Sequence, residues 1–299
     1  MGTKNKKDIR LIKELVAKPE KKHNIEDFKT DETFGFKKDD SDEMILENIM
    51  KLREMQGKFY AHNKYAILII FQAMDAAGKD GTIKHVMSGV NPQGCSVIPF
   101  KQPSKEELDH TYLWRIMKNM PERGNIGIFN RSHYEEVLVT KVHPEILMNQ
   151  QLPDVNSLKD VDKDFWKRRY HQINNMEQYL VENGVIILKF FLNVSKDEQK
   201  KRFLSRLDKK EKNWKFSLAD LKERAYWDDY MKAFEDMINE TSTEYAPWYV
   251  IPADHKWFMR YAVGHIITEK LEELKVDYPT ISDEEVKNLE LAKQQLLNE

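Results

Sequence analysis

Hydrophobic positions along the chain form two kinds of pattern, and the two kinds alternate. Short, nearly continuous apolar runs are typical of strands buried on both faces of a parallel sheet. Longer stretches with an apolar residue every three or four positions are typical of helices. The apolar runs lie at 65–71, 95–100, 125–129, 185–192 and 248–251, and the helical stretches at 42–60, 80–89, 105–118, 133–140, 162–183, 196–209 and 217–239.

This alternation predicts an α/β fold with a parallel sheet of about five strands, flanked by helices and joined by right-handed crossovers. One sheet of that size favours a single domain, which we place at 41–275. Residues 1–40 have little periodicity and contain Lys-rich and Asp-rich clusters, so we expect a loosely docked N-terminal arm there. Residues 276–299 are predicted to form a helical tail, because Ser282 and Glu285 make a capping box before an apolar stretch.

Composition excludes several classes of protein. The 299 residues include 48 basic and 50 acidic side chains, for a net charge of −2, which argues against a dedicated nucleic-acid binder. The longest apolar runs are far shorter than the ~18 residues of a membrane span. The basic start lacks the apolar region of a secretory signal, and the single cysteine, Cys95, fits a reducing compartment. We therefore expect a cytoplasmic protein without a membrane or nucleic-acid partner.

The charges are unevenly distributed along the chain. Residues 196–224 contain eleven basic and six acidic groups, whereas the last nineteen residues contain two basic and five acidic groups. A solvated pair of helices is the ordinary interpretation of such a basic run. Its position between the fourth and fifth predicted strands favours a helical basic lid, because phosphate-loop kinases carry there a mobile lid that excludes water from the transfer.

The segment 71–82, FQAMDAAGKDGT, follows a predicted strand directly and leads into a predicted helix. It half matches the Walker pattern of Gly, four residues, Gly, Lys and Ser or Thr. Gly78 and Lys79 match, whereas Ala73 and Asp80 replace the first Gly and the Ser or Thr. Small residues let the backbone curl its amides inward, and a helix N-terminus adds positive charge. We predict a phosphate site here; the alternative is a Gly-rich turn with a surface lysine.

Asp75 is chemically unusual inside such a loop. A carboxylate among phosphates repels them unless a cation lies between the two. Mg²⁺ is held by one or two carboxylates together with substrate phosphates, and Mn²⁺ could take the same place. Asp75 is therefore predicted to be a metal ligand, or else to accept the proton of an incoming nucleophile. The alternative is a turn-forming aspartate that caps the helix.

A second group of polar residues closes the strand predicted at 125–129, within the sequence GIFNRSHYEE. Asn130 and Arg131 come at its carboxyl end, which is the edge where open α/β sheets bind ligands. Arg131 can make bidentate contacts with phosphate oxygens. Ordinary phosphate-loop enzymes place an aspartate here to help hold Mg²⁺; this chain has Asn130, and Glu135 five residues later.

Other residues near this group are less specific. His133 has no partner that the sequence identifies, and such a histidine is more often packed or hydrogen-bonded than catalytic. Arg115 and Arg123 belong to the helix and the turn that lead into the strand. Each alone is an ordinary surface residue, but together they would enlarge a basic wall around a phosphate site.

With these motifs in place, the sequence resembles the type-2 polyphosphate kinase family. The resemblance spans about 65–260 and rests on AMDAAGKDGT (73–82), HVMSGVNPQGC (85–95), FKQPS (100–104), GNIGIFNRSHYEEVLV (124–139) and the run from WKFSLADLKER to APWYV (214–250). It implies a thymidylate-kinase-like fold with a phosphate loop and a helical lid. It also implies Mg²⁺-dependent phosphoryl transfer between inorganic polyphosphate and nucleotides (AMP, ADP, ATP), and a homo-oligomer, often a tetramer.

The family's functional residues carry over to matching positions of this chain. The resemblance implies catalytic roles for Asp75, Lys79 and Arg131, with Asp75 on the metal. It implies phosphate or nucleotide binding by Ala76, Ala77, Gly78, Lys79, Asp80, Gly81, Thr82, Asn130, Glu135, Arg115 and Arg123, and by the lid residues Arg206, Lys215 and Arg224. Ala73 stands where the family usually has Gly, and Asn130 replaces an Asp, as in the subgroup that accepts AMP as well as ADP.

The residues by themselves are also compatible with two other functions. One is a phosphate-loop kinase that uses ATP to phosphorylate a nucleoside or another small molecule. The other is a non-catalytic module that binds polyanions through the basic lid, against which the carboxylate of Asp75 argues. The choice between adenine and guanine nucleotides is likewise open, as is the preferred direction of the reaction.

Overall fold

The computed structural model describes residues 6–215 and 217–299, and its centre is a mixed sheet of six strands. The strands follow the order β1-β6-β5-β2-β4-β3 across the sheet. Their bounds are β1 Val16–Ala17, β2 Ala66–Gln72, β3 Cys95–Pro99, β4 Ile126–Asn130, β5 Val185–Asn193 and β6 Trp248–Pro252. Five of them run parallel, so the predicted α/β sheet is confirmed.

Strand β2 lies near the middle of the sheet, where both faces of a strand are covered. All seven of its residues are buried, as this position requires. It pairs with β5 on one side and with β4 on the other, and Phe71 is opposite Phe190 and Asn130. Pro99 of β3 is in turn opposite Asn130 of β4. The carboxyl ends of β2, β4 and β3 therefore meet side by side at one edge of the sheet.

The N-terminal segment differs from the loosely docked arm that its sequence predicts. Strand β1 pairs antiparallel with β6 and adds a sixth strand to the sheet. Leu11, Leu15 and Ala17 are almost completely buried in the core. A strand of two residues is too short to produce a periodic pattern, which is why the sequence gives no sign of it.

Helices cover both faces of the sheet and complete the chain. Within the described residues they are α1 Lys6–Leu15, α2 Ser41–His62, α3 Lys79–Val86, α4 Lys105–Leu108, α5 Trp114–Met117, α6 Val139–Val142, α7 Lys163–Glu182, α8 Lys196–Leu207, α9 Leu218–Ala225, α10 Trp227–Thr241, α11 Lys256–Glu273 and α12 Asp283–Leu297. Helix α11 packs against α2, and its residues 261–268 are all buried, so this part of the helix is enclosed on every side. None of these helices within residues 6–215 and 217–299 is long and apolar enough to cross a membrane.

Three predicted helices are broken in the structure. The stretch at 105–118 forms α4 and α5, the stretch at 133–140 begins as the 3-10 helix His133–Val137, and the stretch at 217–239 divides at Tyr226 into α9 and α10. In each case the apolar spacing continues across a turn, so periodicity alone cannot show the break. The predicted capping box at Ser282 and Glu285 is present, and α12 has no buried residue.

Candidate active site

The loop between β2 and α3 curls tightly before the helix begins at Lys79. Gly78 has a φ of +112°, a conformation that favours glycine, and a Cβ atom there would lie 3.1 Å from the Met259 side chain. Ala76 also has a positive φ of 60°. The amide of Ala77 donates to the carbonyl of Met74 at 3.2 Å, which closes the turn. The small residues of the predicted phosphate loop are therefore needed for its shape.

Lys79 folds back beneath this loop. Its Nζ donates to the carbonyl oxygen of Ala73 at 2.8 Å and to that of Met74 at 3.4 Å. Burial and the neighbouring Arg131 lower the pKa of Lys79, while Asp75 and Glu135 oppose that shift. The ammonium group thus lies at the centre of the loop, next to the charged residues of the opposite strand end.

Arg131 and Asp75 form an ion pair that joins the ends of β4 and β2. Arg131 Nη2 lies 2.8 Å from Asp75 Oδ1, and Arg131 Nη1 lies 3.5 Å from Glu135 Oε2. The Arg131 side chain is 40% exposed and that of Asp75 29% exposed. Arg131 has a φ of +65°, and its amide donates to the carbonyl of Phe71 at 3.1 Å. Non-glycine residues rarely adopt this conformation, and those that do are concentrated at functional sites.

Glu135 completes this charged group. Loss of hydration raises the pKa of Glu135, and the charges of Arg131 and Lys79 act against that shift. With its amide turned to satisfy both neighbours, Gln72 donates to Glu135 at 2.9 Å and accepts from Ser132. Asp75, Arg131 and Glu135 together line a cavity of about 40 Å³, which we call the edge cavity.

Asn130 and Asp80 also meet at this edge. The Asn130 Nδ2 donates to Asp80 Oδ1 at 2.8 Å, linking the end of β4 to the first turn of α3. Asp80 occupies the position of the Walker Ser or Thr, and Asn130 the position of the second-motif acid. Of the residues predicted for the loop, Gly81 and Thr82 belong to α3, where Thr82 bonds back to the carbonyl of Gly78.

Sequence reasoning missed Arg202 and Gln199, which connect helix α8 to the loop. The guanidinium of Arg202 donates to the carbonyls of Ala77 and Ala253, and its Nε lies 2.8 Å from Glu198 Oε1. Gln199 Nε2 donates to the carbonyl of Asp75 at 2.9 Å. The two residues lie three apart on one helix face, a spacing that could have indicated a shared contact. The sequence predicts a basic lid at 196–224 and singles out Arg206, Lys215 and Arg224 in it, not these two residues.

Two of the predicted lid residues, Arg206 and Arg224, bond within the lid. Arg206 lies 3.6 Å from Asp220. Arg224 donates to the carbonyl of Lys196 at 2.8 Å and to Gln199 at 2.6 Å, so it reaches the phosphate loop only through Gln199. Lys215 ends the 3-10 helix Lys210–Lys215, and its side chain lies outside the described part of the structure.

The two upstream arginines have different positions. Arg115 is buried beyond the end of β3, where it donates to the carbonyl of Lys101 at 2.8 Å and lies 3.7 Å from Glu107. Arg123 bonds to the carbonyls of Lys64 and Asn183, which precede β2 and β5. The prediction for Arg123 is therefore wrong: a residue just before a strand lies at the amino edge of a parallel sheet, opposite the phosphate loop.

His133 is packed in a fully buried group behind the motif. Its Nε2 lies 3.4 Å from Glu177 Oε1, and Glu177 is paired with Lys189 at 2.6 Å. Tyr134 donates to Glu177 at 2.7 Å. Burial lowers the pKa of His133. This group fixes the turn after Arg131 against α7 and β5, so His133 is a structural residue.

Comparisons with known proteins give the family of this chain. A family model described as Polyphosphate kinase 2 (PPK2) matches residues 35–279. The chain is 53% identical over 255 residues to an ADP-polyphosphate phosphotransferase of Rhodopseudomonas palustris, covering 85% of this chain and 87% of that protein. It is 43% identical over 270 residues to an AMP/ADP-polyphosphate phosphotransferase of Meiothermus ruber, covering 90% and 96%.

A solved structure agrees with these relatives. The crystal structure of polyphosphate kinase 2 from Arthrobacter aurescens TC1 superimposes with a TM-score of 0.84 at 38% sequence identity, covering 94% of this chain and 96% of that one. The resemblance inferred from the motifs is confirmed. Since the family model, the relatives and the solved fold agree over most of its length, the chain belongs to the polyphosphate kinase 2 family.

Proposed function

We propose that this protein transfers a phosphoryl group between inorganic polyphosphate and nucleoside mono- or diphosphates, converting AMP to ADP and ADP to ATP. The observation that carries the proposal is that Lys79 bonds to the carbonyls of Ala73 and Met74, which line the edge cavity together with the Arg131–Asp75 pair. The relatives from R. palustris and M. ruber, named as polyphosphate phosphotransferases, support it.

The proposed chemistry asks the protein mainly for alignment and charge. Phosphoryl transfer passes through a state with charge spread over the transferred oxygens, and positioning plus electrostatic stabilisation supply most of the catalysis. The loop amides, Lys79 and Arg131 hold the reacting phosphates. Arg131 is kept at the edge cavity by Asp75 and Glu135 until phosphate oxygens replace these partners. The accepting phosphate is already anionic, so a strong general base is not required.

The acidic residues of the edge cavity fit a phosphate-borne Mg²⁺ or Mn²⁺. Within the described part of the chain, no three His, Cys, Asp or Glu side chains are grouped so as to hold a metal by themselves. Asp75, with Glu135 beside it, would hold a magnesium ion that is also bound by substrate phosphates, because such an ion needs only one or two carboxylates. Such an ion would neutralise charge between donor and acceptor oxygens.

Acceptance of AMP as well as ADP is part of the proposal. The family resemblance implies that Asn130 stands where some members have an Asp, and the Asn130 amide donates to Asp80. The edge therefore has one negative charge less close to the accepting phosphate. The M. ruber relative, named for both AMP and ADP, supports this preference.

The proposal is tested by measuring phosphoryl transfer from polyphosphate in the absence of added ATP. The protein is incubated with long-chain polyphosphate, Mg²⁺ and either AMP or ADP, and new ADP or ATP is quantified. Asp75→Asn should reduce the rate by about 100-fold or more, in the range seen when a group that stabilises transition-state charge is removed, while leaving the circular dichroism spectrum unchanged. Asp164→Asn, the same change at an exposed aspartate of α7, should leave the rate unaltered.

Three results would contradict the proposal. Near-normal transfer by Asp75→Asn would remove the metal role. Transfer that requires ATP and a nucleoside would indicate an ordinary phosphate-loop kinase. Polyphosphate binding with no transfer in the presence of Mg²⁺ would indicate a polyanion-binding module.

A further inference from the structure

Gln199 lies between the phosphate loop and α9, a helix of the predicted basic lid. Only 1% of this residue is exposed. Its Nε2 donates to the carbonyl of Asp75 at 2.9 Å, and its Oε1 accepts from Arg224 Nη1 at 2.6 Å. We propose that Gln199 is a positioning residue that couples the lid to the phosphate loop, aligning Arg224 with polyphosphate while it fixes Asp75. The inference rests on the proposed function, since it gives Gln199 a part in that transfer.

The two ends of the Gln199 amide are not interchangeable. Its Nε2 can only donate and faces a carbonyl oxygen, whereas its Oε1 can only accept and faces a guanidinium. A reversed amide would place an acceptor against an acceptor and a donor against a donor. The contact with the loop and the contact with the lid therefore require the same orientation of one side chain, so each contact favours the other.

Helix α8 fixes Gln199 at this place. The side chain of Ser195 caps the first turn of the helix, and the Ser195 amide donates to Asp254 at 2.8 Å. Near the next turn, Arg202 donates to the carbonyl of Ala77. The backbone of Gln199 is thus anchored on both sides, and its amide is held by two partners. Such support is what a residue needs in order to position other groups.

Helix α9 is anchored at its last turn and exposed at its start. Arg224 is held by Gln199, and the neighbouring Glu223 accepts from the Tyr230 hydroxyl at 2.6 Å. At the other end of the helix, 73% of Leu218 is exposed. The start of α9 can therefore move over a ligand while the last turn keeps its contact with Gln199.

Arg224 keeps hydrogen-bonding capacity for phosphate in this arrangement. A guanidinium has five N–H donors, and the bonds to Gln199 and to the carbonyl of Lys196 both use Nη1. The Nε and Nη2 groups can contact phosphate oxygens without loss of the bond to Gln199. Because one amide group separates them, Arg224 Nη1 lies within about 8 Å of the Asp75 carbonyl oxygen. Phosphates bound by Arg224 would therefore lie close to those bound by the phosphate loop.

Steady-state transfer from polyphosphate to ADP tests the inference with two variants. Gln199→Met keeps the size of the side chain and loses both bonds, so kcat should fall and the KM for polyphosphate should rise, each about tenfold. Gln199→Glu keeps an acceptor for Arg224 but turns a second acceptor toward the carbonyl of Asp75. Its kcat should therefore fall, while its KM for polyphosphate stays within about twofold of wild type. A glutamine that only supports the fold would not give this split.

Gln56 of α2 supplies the matched control. It is 2% exposed, and its Oε1 accepts from the amide of Asn91 at 3.3 Å. Gln56→Met should lower the unfolding midpoint, as Gln199→Met does, but leave kcat and KM unchanged. The inference is overturned if Gln199→Met is less stable yet transfers with wild-type kcat and KM. Equal kinetic changes in Gln199→Met and Gln199→Glu would also overturn it, because the two contacts would then have no separate roles.

Cleavage of the lid by trypsin adds a measurement that needs no transfer. Lys209 and Lys210 are exposed between α8 and α9, and bound polyphosphate should protect them in the wild-type protein. Gln199→Met should need about tenfold more polyphosphate for the same protection, and Gln56→Met should need no more than wild type. Protection that depends on Gln199 in a wild-type protein without transfer would contradict the proposed function and leave the inference intact. An active protein whose lid is protected independently of Gln199 would contradict the inference alone.

Discussion

Two ion pairs lie near the turn after β4. The distances between their charged atoms are similar, but their exposure to solvent is very different. Lys189 and Glu177 are 2.6 Å apart, and both side chains are completely buried. Arg131 and Asp75 are 2.8 Å apart, but 40% and 29% of their side chains are exposed. A short distance alone therefore does not tell whether a charged pair supports the fold or serves a ligand.

The difference follows from what water can reach. Lys189 also donates to Tyr134 and to the carbonyl of Thr241, so the buried pair is fully hydrogen-bonded. Taking one partner away would leave a charge without hydration, which is strongly destabilising. The Arg131–Asp75 pair remains in contact with solvent, where such pairs contribute about 0–1 kcal/mol. It can therefore open for phosphate at little cost.

The largest expected effect comes from the buried pair. Glu177→Gln removes the negative charge next to Lys189 and should lower the free energy of unfolding by about 3–5 kcal/mol. Denaturant titration measures the change, with Glu182→Gln, at an exposed position of the same helix, as control. Replacing both residues, as Glu177→Leu with Lys189→Met, should recover much of the loss. A loss below about 1 kcal/mol for Glu177→Gln would mean that water reaches the pair.

An intermediate effect is expected at Arg202, which combines features of both pairs. It is buried, yet it binds carbonyls of the phosphate loop as well as that of Ala253. Lysine cannot span these carbonyls with a planar fork, so Arg202→Lys should lower the free energy of unfolding by about 1–3 kcal/mol. Transfer should slow as well, because the loop loses its anchor. Arg53→Lys, at an exposed arginine of α2, should change neither quantity. Normal transfer by a destabilised Arg202→Lys would show that the anchor serves the fold alone.

The smallest effect concerns Glu135, beside the exposed pair. Loss of hydration raises its folded-state pKa above the ordinary value of 4.5, so the stability that the protonated form contributes is lost as pH rises. Glu135→Gln, which resembles the protonated form, should therefore be more stable than wild type at pH near 7, by less than about 1 kcal/mol. The gain should vanish when pH falls below about 4.5. Unfolding midpoints at both pH values measure it, with Glu122→Gln as control. A less stable variant at neutral pH would mean that attraction to Arg131 and Lys79 outweighs the lost hydration.

Sequence patterns were sufficient to predict those elements whose structure depends on the residues of a single segment. The run 65–71 predicts β2 because burial on both faces requires continuous apolar residues. The spacing around Gly78 and Lys79 predicts the loop because its backbone conformation depends on those residue types. Partners distant in the chain were not predictable. Arg202 is 125 residues from Ala77, and nothing in a basic run shows which of its members faces inward.

Residue types at fixed spacing were enough to predict the parallel sheet, the phosphate loop after its central strand and the family. Which charges meet became visible only in the folded protein. It placed Arg123 at the opposite edge of the sheet, brought β1 into the sheet, and set Lys189 against Glu177 in the core. It also left Arg131 and Asp75 in contact with solvent. Burial and electrostatic interaction depend on distances in space, whereas a linear pattern records only distances along the chain.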